Sequence, residues 1–167
     1  MKRSAHPASE PQRRSSGQAW PADDGSAPDP DDTPATFRWP VTVYYEDTDA
    51  GGIVYYANYL RFFERARTEW LRALGVSHRE TAQRDGLQFV VRDLQVSYHR
   101  PARLDDRLTM HLSLVECRRA SISLRQWASL EDDPTMLVEA VVRIAAIRCD
   151  NGRPTAMPSR LLSRIAE

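Results

Sequence analysis

Asn58-Tyr59-Leu60-Arg61-Phe62-Phe63-Glu64-Arg65-Ala66-Arg67-Thr68-Glu69-Trp70-Leu71-Arg72-Ala73-Leu74-Gly75 is the stretch that decides the fold. Tyr59, Phe62, Phe63, Ala66, Trp70, Leu71 and Leu74 recur at spacings of three and four, which gives an α-helix one apolar stripe. Arg61, Arg65, Thr68, Glu69 and Arg72 mostly take the other faces. Asn58, or a residue just before it, can cap the start, and Gly75 is well placed to end the helix.

Downstream, Ser77 and Glu80 have capping-box spacing and Gly86 closes the segment, which predicts a second, short helix. Gln88 to Tyr98 reads as a strand whose imperfect alternation suggests a bulge around Arg92 and Asp93. After a turn over Pro101 to Asp106, Leu108, Met110, Leu112 and Leu114 alternate with Thr109, His111 and Ser113, the pattern of a half-buried strand. Arg118 and Arg119 mark a hairpin tip, and the return strand carries Ile122, Leu124, Ala128 and Leu130 on its apolar side. Met136 to Cys149 is the last strand, apolar on both faces in its middle, and Asp150-Asn151-Gly152 turns the chain. A C-terminal helix beginning near Ser159 would bury Leu161, Leu162 and Ile165. Upstream, Phe37 to Tyr45 places Trp39, Val41, Val43 and Tyr45 on one side of a strand, which Pro40 confines to an edge or to its first residues.

One long apolar helix beside a large antiparallel sheet predicts an α+β domain in which the sheet curls around the helix. No second helix layer is left to cover the far face of the last strand. A neighbouring subunit is the expected cover, so at least a dimer is expected.

A chain of 167 residues holds one domain with an appendage. Its 23 basic and 23 acidic side chains cancel, which gives no reason to expect nucleic acid as the main partner. No run approaches about 18 apolar residues, so no transmembrane segment is expected. Cys117 and Cys149 fit neither a disulfide framework nor a CxxC pair, and are expected as buried, reduced strand residues of a cytoplasmic protein. Six of the eleven prolines precede residue 36, among Ser, Ala, Gly, Gln, Asp and Arg. Such a stretch buries too little apolar surface to offset its ordering entropy. Residues 1–36 are therefore expected as a disordered tail and residues 37–167 as the domain.

Chemistry concentrates in Tyr44-Tyr45-Glu46-Asp47-Thr48-Asp49-Ala50-Gly51-Gly52-Ile53-Val54-Tyr55-Tyr56-Ala57-Asn58-Tyr59, which sets three carboxylates and two glycines between a strand and the long helix. The first amides of a helix lack partners within it, and with the helix dipole they can receive negative charge developing on a carbonyl oxygen. A loop carboxylate can attack that carbonyl or deprotonate a water that does. Acidic residues before a helix also serve as caps or as solvated charges, so spacing alone leaves both readings open. The sequence has no GxSxG, HExxH, GxGxxG or Walker A motif, and His6, His78, His99 and His111 are scattered, so no metal site is expected.

Phe37-Arg38-Trp39-Pro40-Val41, Val43 to Tyr55, and Phe63-Glu64-Arg65-Ala66-Arg67-Thr68-Glu69 together resemble the YbgC family, the Tol–Pal-associated acyl-CoA thioesterases of the hotdog superfamily related to 4-hydroxybenzoyl-CoA thioesterase. Phe89-Val90-Val91-Arg92 and Pro101 to Asp106 resemble later motifs of that family, and the likeness runs from residue 37 to about 162. It implies a hotdog fold, an antiparallel sheet wrapped around the long helix, paired as a homodimer and often assembled into a homotetramer. It also implies hydrolysis of acyl-CoA to free acid and CoA, with no cofactor beyond the CoA of the substrate. The family's catalytic aspartate matches Asp49, its oxyanion-stabilising amides fall at Tyr55, Tyr56 and Ala57, and Gly51 and Gly52 shape the turn. Many relatives carry histidine where this chain has Tyr56. Tyrosine, with a pKa near 10, does not replace a base working near neutrality, although its hydroxyl can donate a hydrogen bond.

Glu64 is a secondary candidate, because a related hotdog branch uses a helix carboxylate; a charge network with Arg65 and Arg67 is the alternative. CoA phosphates call for arginines at the cleft mouth, and Arg92, Arg100, Arg103, Arg118 and Arg119 are the candidates. The resemblance adds acyl carrier protein as a partner and a place in lipid metabolism. A non-hydrolytic acyl-binding or scaffold protein of the cell envelope is the other functional class.

Overall fold

The apolar stripe becomes helix α1, Asn58–Ala73, which buries Tyr59, Phe62, Phe63, Ala66, Trp70 and Leu71. Burying a large apolar side chain contributes about 1.5–3 kcal/mol, so Phe62 and Phe63, both almost fully enclosed, are major anchors of the helix. The structure is a computed structural model that describes residues 37–166. The tail expected over residues 1–36 lies outside the described residues.

Around α1 lie β1 (Phe37–Thr42), α2 (His78–Asp85), β2 (Leu87–Tyr98), β3 (Arg107–Arg118), β4 (Ser121–Leu130), β5 (Met136–Arg148) and α3 (Ser159–Ala166). The strands form one antiparallel sheet in the order β1-β3-β4-β5-β2. Alternate residues of the sheet (Leu108, Met110, Leu112, Ile122, Leu124, Val138, Ala140, Val142) face the helices and build two adjoining core clusters along α1. This is the expected α+β hotdog architecture, a sheet wrapped around a central helix.

Local signals act as read. Ser77 Oγ accepts the Glu80 amide at the start of α2, and Gly86 ends that helix at φ 61°. The bulge in β2 falls between Val91 and Asp93, and Pro40 sits in an outermost strand. In α3, Leu161 and Ile165 are buried and Leu162 packs partly against the same cluster.

Three expectations need correction. Tyr45 is 82% exposed, because the chain leaves β1 after Thr42 and enters a 3₁₀ turn over Tyr45–Asp47. Asn58 does not cap α1; it lies within the first turn, buried, and its Nδ2 donates to the Asp47 carbonyl at 2.9 Å. Cys149 is exposed rather than buried, just beyond the end of β5, while Cys117 is intermediate. The outer face of β5, which has no second helix layer over it, is only partly covered within the protomer: Val141 is exposed, and Ala145 and Ile147 are half-buried.

Gln126 breaks the apolar alternation of β4 and is completely enclosed. Its Oε1 accepts Arg67 Nη1 at 2.8 Å and its Nε2 donates to the Phe63 carbonyl at 3.0 Å, so a buried amide ties the middle of α1 to the sheet. Burial lowers the Arg67 pKa, and the charge of Glu64 partly opposes that shift.

Candidate active site

The loop before α1 is folded by its first buried carboxylate. Asp47 is enclosed; its Oδ2 accepts the Tyr44 amide at 2.9 Å, and its carbonyl accepts the Tyr55 amide at 2.8 Å as well as Asn58 Nδ2. Asp47 therefore anchors the loop to the helix. The next turn is closed by the Asp49 amide on the Ile53 carbonyl (2.9 Å) and the Gly52 amide on the Asp49 carbonyl (3.0 Å). Gly52 takes φ 71°, a conformation costly for residues with a Cβ.

Asp49 itself is exposed. Its Oδ1 accepts the Gly51 amide at 2.8 Å, and its Oδ2 has no hydrogen-bond partner among the described residues. A Cβ at position 51 would stand 3.0 Å from that same Oδ1, so glycine allows the backbone to approach the carboxylate. One carboxylate oxygen is held by the backbone, and the other makes no hydrogen bond among the described residues.

The entrance of α1 follows directly. Ala57 is its N-cap in helical conformation, with no side-chain cap. Of the three amides expected to stabilise an oxyanion, that of Tyr55 is occupied, since the Asp47 turn folds back onto it. The amides of Tyr56 and Ala57 donate to no acceptor among the described residues.

Beside this entrance lies a largely apolar cleft of about 270 Å³ lined by Ile53, Val54, Tyr56, Tyr59, Tyr98, His99, Arg100 and Pro101. Tyr59 is a fixed wall: its ring is buried, and its hydroxyl accepts the Ala102 amide at 2.9 Å. Tyr56 is 60% exposed, with its ring tilted against Tyr55 at 4.6 Å and edge-on to Tyr98 at 6.3 Å. The neighbouring Tyr56 hydroxyl, through hydrogen bonding and then charge, raises the Tyr55 phenol above its ordinary pKa; slight burial and the charge of Asp49 add to the rise. A second depression of about 230 Å³ lies between α2 and α3 at the other end of α1. Its Arg160 pairs with Asp85 and its Arg164 with the Leu74 and Gly75 carbonyls, so it serves the docking of α3.

The remaining candidates divide by position. Arg103 bridges Ile53 through the backbone and so adjoins the loop, and Arg100 lines the cleft. Arg92 sits at the β2 bulge beside Asp93, in an open groove shared with Arg143. Arg118, paired with Glu116, and Arg119 lie at the far end of β3, a strand of 12 residues that spans roughly 35 Å at about 3.3 Å per residue. The protomer does not bring them to Asp49. Glu64 accepts the Thr68 hydroxyl at 2.9 Å and makes no ion pair among the described residues, because Arg67 turns inward to Gln126. Sequence reasoning missed Tyr98 and His99 as lining residues; their only signal was proximity to the Pro101 turn.

Among the described residues, no three His, Cys, Asp or Glu side chains gather as metal ligands would, and no helix is long and apolar enough to cross a membrane. Residues 43–165 match the family model of the thioesterase-like superfamily. The chain is 42% identical over 125 residues to the acyl-CoA thioesterase YbgC of Haemophilus influenzae, covering 75% of this chain and 90% of that one. It is 40% identical over 131 residues to the acyl-CoA thioester hydrolase YbgC of Escherichia coli O6:H1, covering 78% and 96%. A probable thioesterase from Bartonella henselae superposes with TM-score 0.70 at 37% identity, over 74% of this chain and 100% of that one. A Staphylococcus aureus protein solved in complex with CoA has TM-score 0.73 at 21% identity, over 80% and 84%, a likeness of fold alone. The chain belongs to the YbgC family, within the thioesterase-like superfamily of hotdog proteins.

Proposed function

We propose that the chain hydrolyses acyl-CoA thioesters to a free carboxylic acid and CoA, with Asp49 as the reacting carboxylate and the Tyr56 and Ala57 amides as the oxyanion hole. The observation that carries this reading is the half-held carboxylate: Oδ1 fixed by the Gly51 amide and Oδ2 unpartnered among the described residues, on a loop that runs into the open amides of α1. Those amides and the positive end of the helix polarise the thioester carbonyl. Asp49 Oδ2 attacks the carbonyl carbon, or takes a proton from a water that does. The oxyanion then collapses, the C–S bond breaks, and CoA leaves as a thiolate that takes up a proton. In the direct route a mixed anhydride on Asp49 is then split by water; in the other the acid forms at once.

The cleft walls of Val54, Tyr59 and Tyr98 suit an acyl or pantetheine chain, and Arg100 and Arg103 suit CoA phosphates at its rim. The same reading includes a homodimer. β2 is an outermost strand that exposes Val91, Leu94 and Tyr98, and pairing with a second copy would cover that edge. The family likeness supports assembly into a tetramer, a cytoplasmic location, acyl carrier protein as a second acyl donor, and a link to the Tol–Pal system.

The test is thiol release from an acyl-CoA ladder running from acetyl to palmitoyl. Hydrolysis is expected, and Asp49→Asn should lower kcat by about 10²–10⁴-fold with melting and assembly unchanged. Label found in the Asp49 side chain after a single turnover in ¹⁸O-water identifies direct attack, because only an anhydride split by water at the aspartyl carbonyl places it there. Binding without thiol release at every chain length would make this a non-hydrolytic acyl-binding protein. Near-normal turnover in Asp49→Asn would remove Asp49 from the mechanism.

A further inference from the structure

We infer that Tyr98 is a positioning residue: its hydroxyl holds the Tyr56–Ala57 peptide so that the Ala57 amide is presented as an oxyanion donor. This rests on the reading of the α1 entrance given above. Tyr98 is the last residue of β2, and its hydroxyl donates to the Tyr56 carbonyl at 3.0 Å across 42 positions of sequence. No backbone amide among the described residues reaches that carbonyl, because the Leu60 amide goes to the Ala57 carbonyl instead, at 3.1 Å. In a planar trans peptide the C=O of Tyr56 and the N–H of Ala57 point in opposite directions, so fixing one fixes the other. A hydrogen bond to the carbonyl also polarises the amide and strengthens the donation by its N–H.

The tyrosine is itself held in place. Its ring packs against Tyr59 at 6.0 Å and edge-on to Tyr56 at 6.3 Å, and its backbone is registered opposite Val138 of β5. Tyr59 is in turn fixed by the Ala102 amide. A helix entrance without a side-chain cap thus gains a brace from the sheet. The brace occupies an acceptor and leaves the donor open.

Tyr98→Phe keeps the ring and deletes the hydroxyl, and the same acyl-CoA ladder reads the effect. Removing an oxyanion donor outright costs about 10²–10³-fold in kcat, so loosening one should cost about 3–30-fold, with KM within about twofold and melting unchanged. In the ligand-free protein labelled with ¹⁵N-alanine, the Ala57 amide resonance should move, while alanines of the sheet core such as Ala128 and Ala146 stay in place. Wild-type kcat overturns the proposal, as does a raised KM with kcat intact. A lowered kcat with an unmoved Ala57 resonance also overturns it, because the hydroxyl would then act on substrate directly. Asp49→Asn in the same assay tests the underlying reading separately. If it retains turnover, that reading falls, while the Ala57 resonance still decides whether Tyr98 holds the peptide.

Discussion

The two ends of α1 are finished in opposite ways. At the C-terminal end, Gly75 at φ 70° lets its own amide return to the Arg72 carbonyl and the Val76 amide to the Leu71 carbonyl, both at 2.8 Å. Arg164 of α3 adds bonds to the Leu74 and Gly75 carbonyls. At the N-terminal end no side chain caps, and the Tyr56 and Ala57 amides donate to nothing among the described residues. A cap is worth about 0.5–2 kcal/mol, so the open end forgoes stability that was chemically easy to obtain. The closed end serves the fold. The open end, beside an exposed carboxylate, is the one proposed above to receive the substrate.

The largest effects are expected at the glycine near each end, Gly52 and Gly75, whose φ angles are 71° and 70°. Gly75→Ala pays a left-handed penalty of about 1–2 kcal/mol, and its Cβ would stand 2.7 Å from Arg164 Nη1, so the guanidinium must move and its bonds weaken. A loss of about 2–3 kcal/mol in urea unfolding is expected, with kcat per folded molecule retained. Gly52→Ala carries the conformational penalty alone, since nothing lies within 4 Å of its Cβ. It should cost about 1 kcal/mol of stability yet lower kcat, because the turn that carries Asp49 shifts. If Gly52→Ala proved the more destabilising and left turnover intact, the assignment of one end to fold and the other to chemistry would fail.

What was legible in the sequence follows the range of the forces involved. The stripe of α1, the Ser77 cap, Gly75 and the β2 bulge are set by neighbours within a few residues, and all appear where the pattern puts them. Asp49, Gly51 and Gly52 were legible as a loop with chemical potential for the same reason. Gln126 was not, because the Phe63 carbonyl it satisfies lies 63 positions earlier and the alternation of β4 shows only a polar interruption. Nor was the occupation of the Tyr55 amide, which depends on how the Asp47 turn folds back, or the reach of Tyr98 to the Tyr56 carbonyl. Arg118 and Arg119 were grouped with the cleft by residue type, and only the length and direction of β3 separate them from it.

The smallest expected effect lies on the outer face of the sheet, away from both ends. His111 of β3 stacks on Trp127 at 4.9 Å, and its Nε2 lies 3.0 Å from Ser129 Oγ; Arg38 of β1 is registered opposite it, and Arg125, paired with Glu139, lies over the Trp127 ring. Burial first, and the charge of Arg38 second, lower its pKa to about 4. In the unfolded chain it titrates near 6.5, so between those values the unfolded state binds more protons. The stability it contributes is complete above about pH 6.5 and is lost as pH falls toward 4. The slope is at most about 1.4 kcal/mol per pH unit for one proton, and less here because the ring is partly exposed. His111→Gln should flatten urea-derived stability across that window while leaving the pH profile of kcat unchanged, since the carboxylate proposed to react sits in the loop before α1. A pH–rate profile that moved with the substitution would show that the outer face and the helix entrance titrate as one unit, and the division between a structural and a chemical region would have to be redrawn.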